Sequence, residues 1–303
     1  MERVRITDVS PRDGLQNEQG AIPTADKVEL IRLLCQTGVD EVEVTSFVSP
    51  KWVPQLADAL EVCASLHPLL ETRPLLSVLV PNEKGLDAAV RVNARGRVLS
   101  KVSVFTAASE TFSKKNTNAT IAETLERFRP VVAAAHDEAL LVRGYISCAI
   151  ACPFEGTIAP QAVAKVARQL VDLGVDEIDL GDTIGAGTPE SARAMLSAVR
   201  SELGDAWWTS ERMTLHLHDT FGRAAECVKA ALDVGVRSFD GSVAGLGGCP
   251  YASTPSKRAP GNISTELLVK TVHDAGFASA VDMAKLEAAA AFARGIVARS
   301  RGG

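Results

Sequence analysis

The sequence predicts an α/β fold, a (β/α)8 TIM barrel with additional C-terminal helices. Strand-like and helix-like patterns alternate eight times from end to end, which asks for parallel strands joined by crossover helices. Its 303 residues are long for one ordinary domain but suit a barrel of about 250 residues with extras. Residues of chemical interest recur just after successive strands, on what a barrel would make a single rim. Eight alternations favour closure, although the count by itself also fits an open doubly wound sheet.

In order, 4–9 reads as the first strand. Thr24 then opens an amphipathic helix carrying Val28, Ile31, Leu33 and Leu34 that stops at Gly38. Lys27 stands where a capping box would place glutamate. A short strand over 41–44 precedes a helix over 54–66. The apolar run 74–80 is the third strand, and 83–92 is helical. Strand 97–105 leads to a long helix over 121–138. Strand 140–147 is followed by a helix over 160–173 that ends at Gly174. Strand 177–180 pairs with a helix over 189–203, and strand 213–218 with one over 223–234. The eighth strand covers 238–243, with further helices near 265–275 and 283–299. The organisation expected is one catalytic domain over 1–303. Its barrel spans about 4–245, and its C-terminal loop and helices about 246–299.

Apolar residues make up 46% and charged residues 23%, the composition of a soluble globular protein with a sizeable core. The net charge of −5 favours neither nucleic acid nor an anionic membrane as partner. The apolar runs are too short and interrupted to cross a bilayer. A strand pattern starts at once, so no signal peptide is expected. The six cysteines, Cys35, Cys63, Cys148, Cys152, Cys227 and Cys249, do not read as a disulfide framework in a chain this long. A reduced, cytoplasmic setting is expected, with a homodimer as the assembly.

The segment His216-Leu217-His218-Asp219-Thr220 carries most chemistry. Two histidines one residue apart on a strand point the same way, so both imidazoles can reach one divalent cation. An aspartate from a distant strand end would complete a mixed nitrogen and oxygen site, and Asp13 follows strand one. The other polar residues fall in the same pattern. Arg12 precedes Asp13, Glu43 is near the end of strand two, Asp182 follows strand six, and Asn262 lies after strand eight. In a barrel all of them reach the C-terminal mouth. Taken singly, such residues are often helix caps or satisfied core polars, and Asp182 before Gly185-Ala186-Gly187 fits a cap equally well. That Gly-Ala-Gly lacks the spacing of a dinucleotide fingerprint. Glycines in Gly245-Leu246-Gly247-Gly248-Cys249-Pro250 allow a loop that folds over a ligand, and an accessible Cys249 thiol there can act as an acid or base.

These residues resemble the 3-hydroxy-3-methylglutaryl-CoA lyase family of metal-dependent barrels. The matching pieces are 9–18, 43–55, 143–148, 180–185, 216–220 and 242–251, the last being the lyases' own signature. The resemblance runs from about Val4 to Val269. It implies a cation, magnesium or manganese, held by Asp13, His216, His218 and Asn262. It further implies cleavage of the acyl-CoA into acetyl-CoA and acetoacetate, as in leucine breakdown. Arg12 would meet the thioester enolate oxygen, Glu43 would orient Arg12, and Cys249 would protonate the enolate carbon. Asp182 would support proton transfer, and the base for the hydroxyl proton stays open, with His216 or Asp13 as contributors. Lys114 and Lys115 match the family's coenzyme A groove, although their spacing alone equally fits a solvated basic pair.

Some residues depart from the family pattern. The loop 253–260 is longer, with two prolines and two cations, and Asp179 stands where serine is common. Ala151 replaces a common glycine, and Thr265-Glu266-Leu267 a usual Thr-Glu-Asp. These changes leave open a related 3-hydroxy-3-alkylglutaryl-CoA or another hydroxyacyl-CoA as substrate. A 2-oxo acid aldolase or synthase shares the Asp-His-His pattern but not the Gly-Leu-Gly-Gly-Cys-Pro loop. A catalytically dead scaffold is the reading from another class.

Overall fold

A computed structural model describes residues 1–67, 74–248 and 261–301. Eight parallel strands close into a barrel: β1 (Arg5–Asp8), β2 (Glu41–Ser46), β3 (Leu75–Leu79), β4 (Lys101–Ala107), β5 (Leu141–Ser147), β6 (Glu177–Asp182), β7 (Met213–Leu217) and β8 (Ser238–Gly241). Each pairs with its sequence neighbour, and β8 returns to β1. Around them run α1 (Thr24–Cys35), α2 (Ala59–Ala64), α3 (Glu83–Asn93), α4 (Glu110–Thr117), α5 (Ile121–Asp137), α6 (Pro160–Leu173), α7 (Pro189–Leu203) and α8 (Ala224–Asp233). Two C-terminal helices follow, α9 (Thr265–Asp274) and α10 (Met283–Arg301). No described helix is long and apolar enough to cross a membrane.

Local chemistry explains the helix starts. Thr120 and Glu123 form a capping box on α5, and Thr188 with Ser191 does the same on α7. Side chains of Asn82, Ser109 and Ser264 accept the orphan N–H groups of α3, α4 and α9. Helix α6 starts on Pro160 and ends at Gly174, whose φ of 103° is left-handed.

Three segments differ from expectation. The helix foreseen over 54–66 is a short 3-10 turn, Pro54–Leu56, followed by α2. Strand β4 begins at Lys101 because the Asn93 side chain accepts from the N–H groups of Val98 and Leu99, wrapping that segment over the end of α3. The sequence also hid α4 and a small antiparallel hairpin of Ala151–Cys152 with Gly156–Thr157.

The apolar core lies between sheet and helices, built from residues such as Val42, Val44, Val102, Val104, Leu215 and Leu217. Alternate strand positions point into the barrel, and there the filling is ionic. Arg143, fully buried, reaches Glu177 at 2.8 Å, Glu41 at 3.2 Å and Asp240 at 3.2 Å. Lys101 donates to Glu41 and Glu177, at 2.5 Å each. Burial works to raise the Glu177 carboxyl, and Arg143 and Lys101 outweigh it, holding it at about 2. Charges this deep persist only with partners, since an unpaired one costs several kcal/mol. This ladder is the platform on which the mouth of the barrel is built.

Candidate metal centre and active site

Immediately after β1 the chain makes a wide five-residue turn, Ser10–Gly14. Gly14 N–H and Leu15 N–H each bond a carbonyl five residues back, those of Val9 and Ser10. Gly14 is required there: a Cβ would lie 2.9 Å from Leu246 Cβ and 3.0 Å from Ser242 Oγ. The turn lifts Arg12 and Asp13 over the barrel's open end. Arg12 donates through Nε to Glu43 at 2.5 Å and through Nη1 to Asp13 at 2.7 Å. Its guanidinium stacks over Tyr145, 5.4 Å from the ring centre. The Tyr145 hydroxyl donates to the same Glu43 oxygen at 3.2 Å. The other Glu43 oxygen has no partner among the described residues.

Ligand-type atoms of Asp13, His216 and His218 all lie within 4.8 Å of one another, on three buried residues. This cluster could hold a metal ion. The His216 and His218 rings are 5.3 Å apart, side by side as a strand dictates. Asn262 pairs with His218 through an isolated antiparallel bridge and donates its amide to Asp13 at 2.8 Å. Two buried atoms at this point have no partner among the described residues, His218 Nδ1 and Asn262 Oδ1. Orphaned buried acceptors carry a desolvation cost, and a cation would relieve it, so the donor set fits a metal. Burial and neighbouring His216 push the His218 imidazole down to about 4, against the pull of Asp13. It is therefore neutral and free to ligate at pH 7. Burial raises the Asp13 carboxyl, but Arg12, His216, His218 and the Asn262 amide outweigh it and hold it at about 2. On the far side of the ring, His216 Nδ1 faces Asp240 at 3.1 Å. A carboxylate behind a histidine fixes its tautomer and raises its basicity as a ligand.

Asp179, the departure noted above, is buried 3.5 Å from Arg143 and close to Asp240. Burial and the Asp240 charge push its carboxyl well up. Asp182 ends β6 with both oxygens occupied, by Ala186 N–H at 3.1 Å and Gly187 N–H at 2.8 Å. Burial raises it to about 6. It thus caps the 185–187 turn, and that turn packs on the His218 carbonyl, which a Cβ on Gly185 would approach to 2.7 Å.

A cavity of about 680 Å³ opens above these residues. Arg12, Asp13, His216 and His218 line it, as do Lys115 and Arg127. Lys114, next to Lys115 on α4, is exposed and does not line it. Cys249 lies outside the described residues, as does the 253–260 loop. Sequence reasoning missed Gln16, which donates to Asp13 at 2.6 Å, as well as Tyr145 and Asp240. Gln16 and Tyr145 were in hand as members of matched segments, whereas Asp240 needed the pairing that sets it opposite His216.

A closed parallel barrel with a candidate metal centre at its C-terminal mouth is the class of protein that fold and site define. A family model described as HMGL-like matches residues 3–293, and the chain belongs to that family. It is 47% identical over 289 residues to the mitochondrial hydroxymethylglutaryl-CoA lyase of Arabidopsis thaliana, covering 95% of this chain but 58% of that one. It is 46% identical over 283 residues to the hydroxymethylglutaryl-CoA lyase of Pseudomonas mevalonii, covering 93% and 89%. The crystal structure of the HMG-CoA lyase from Brucella melitensis superposes with a TM-score of 0.90 at 45% identity, covering 98% and 100%.

Proposed function

We propose that this protein is a divalent-cation-dependent carbon–carbon lyase that cleaves 3-hydroxy-3-methylglutaryl-CoA to acetyl-CoA and acetoacetate. The observation that carries it is the convergence of Asp13, His216 and His218, all lining the cavity, with Asn262 bonded to Asp13 and two atoms, His218 Nδ1 and Asn262 Oδ1, unpartnered among the described residues. Asp13, His216, His218 and Asn262 would hold the ion. A mixed set of two oxygens and two imidazole nitrogens, with positions left for water and substrate oxygens, is compatible with magnesium or manganese. When bound, such a cation supplies Lewis acidity to a chelated hydroxyl and carboxylate oxygen.

The chain's own groups do the rest. A base takes the C3 hydroxyl proton, the C3–O bond becomes the ketone of acetoacetate, and the C2–C3 electron pair moves to the thioester as an enolate. Arg12 faces that developing oxyanion with a fixed positive charge. Glu43 and Tyr145 hold Arg12 in place. Cys249 returns a proton to C2, giving acetyl-CoA. Asp182 fixes the turn behind His218, and Lys115 meets the coenzyme A phosphates.

Cys35, Cys63, Cys152 and Cys227 are buried free thiols, which supports a reducing compartment such as the cytoplasm. Incubating the purified protein with Mg²⁺ or Mn²⁺ and the acyl-CoA, and measuring acetyl-CoA and acetoacetate, tests the proposal. Absence of both products with either ion rejects it.

A further inference from the structure

Asp8, the last residue of β1, is fully buried and lies outside the ligand set. Its two oxygens are used by different parts of the chain. Oδ1 accepts from Ser10 N–H at 2.9 Å and from the Ser10 hydroxyl at 2.5 Å. Ser10 opens the turn that carries Asp13. Oδ2 accepts from Val243 N–H at 3.0 Å and from the Thr265 hydroxyl at 2.6 Å. Val243 and Thr265 flank the segment that carries Asn262. Ser242 N–H bonds the Ile263 carbonyl at 3.1 Å, and Thr265 N–H returns to the Ser242 carbonyl at 3.3 Å.

We infer that Asp8 is a positioning residue for the metal centre, one oxygen setting the Asp13 turn and the other setting the Asn262 segment, so that the two ligands meet. The inference rests on the metal reading given above. Asp13 and Asn262 follow the neighbouring strands β1 and β8 on either side of the barrel seam, and their side chains meet at 2.8 Å. The β1–β8 ladder and the Val9 N–H to Gly241 carbonyl bond already join the two strands. Beyond them, one buried carboxylate accepting four hydrogen bonds ties the Asp13 turn to the Asn262 segment. Charge-assisted bonds of this kind are the stronger sort.

The test uses Mn²⁺ alone, titrated against the full chain and read as free Mn²⁺ by electron paramagnetic resonance. Asp8→Asn replaces one acceptor oxygen by a donor, and Mn²⁺ affinity is expected to fall about tenfold or more. Ser10→Ala and Thr265→Val each remove one hydroxyl and should each weaken binding several-fold, which keeps the test open if Asp8→Asn does not fold. In an Asn262→Ala background, Thr265→Val should add nothing, whereas Ser10→Ala should still weaken binding. Affinity within twofold of the parent in Ser10→Ala and Thr265→Val overturns the inference. So does an equal effect of Thr265→Val with and without Asn262, the mark of general loosening. If the parent protein binds no Mn²⁺, it is the metal reading that fails.

Discussion

Asp240 stands directly behind His216, its Oδ2 3.1 Å from the imidazole Nδ1 and both groups buried. The carboxylate fixes which ring nitrogen is left to face the cluster with Asp13 and His218. Replacing it should leave the barrel closed and the ring misdirected. Asp240→Asn is expected to lower Mn²⁺ affinity about 10- to 100-fold. Calorimetric titration measures this, and parental affinity would remove Asp240 from the centre.

His218→Ala deletes a donor whose Nδ1 has no other partner among the described residues. Metal affinity and turnover should both fall sharply, while the far-ultraviolet dichroism stays that of the parent. A variant that turns over normally at parental metal concentrations would take His218 out of the ligand set.

Cys249→Ser should separate binding from chemistry. Mn²⁺ affinity is expected to be unchanged and most activity lost, because a hydroxyl is a far weaker acid than a thiol. Turnover equal to the parent would remove this residue from the proton transfer.

Lys115 lines the cavity and Lys114 does not. Lys115→Ala should therefore raise KM for the acyl-CoA several-fold with kcat little changed, the pattern of lost uniform binding. Lys114→Ala should change KM by less than twofold. Steady-state kinetics of the two variants side by side decides the matter, and equal effects would contradict the cavity's geometry.

Burial raises the Asp8 carboxyl from 3.8 to about 6, against the bonds from Ser10 and Thr265. A group raised on folding keeps its proton in the folded state after the unfolded chain has lost it. Its contribution is therefore fully present below pH 3.8 and is lost as pH rises through 6. Asp8→Asn has no such titration. The stability of the parent relative to Asp8→Asn should be about 2 to 3 kcal/mol greater near pH 4 than at pH 7. Urea unfolding of both proteins at the two pH values measures it, and a pH-independent difference would contradict a raised Asp8.

The elements that were legible from sequence are those whose signals are local. Helices 160–173 and 189–203 match the structure residue for residue, since each starts on a proline and carries a strong apolar stripe. The strand–helix rhythm conveyed the barrel, and the His-x-His spacing conveyed two members of the cluster. What stayed hidden depends on neighbours far along the chain. The polar faces of β2, β5 and β6 alternate as a solvent-facing strand would, yet Glu41, Arg143 and Glu177 face one another inside the barrel. Asp240 gains its partner only through the pairing of β8 with β7. Asp182 was foreseen at the mouth as either a reactive group or a cap, and both its oxygens are bound to backbone N–H groups. The Ser10–Gly14 turn was not foreseen because, besides the local bonds of Ser10 to Asp8, it depends on the close approach of Gly14 to Ser242 and Leu246, far along the chain.

The contact between Asp13 and Asn262 joins residues 249 positions apart. No fragment missing either the first or the last strand can assemble that corner, so ion uptake depends on the complete circuit. During refolding, helices and neighbouring strand pairs would gather first, because their contacts are short-range. Capture of Mn²⁺ should come with the final event, when β8 docks on β1, making the ion a late clock for ring closure.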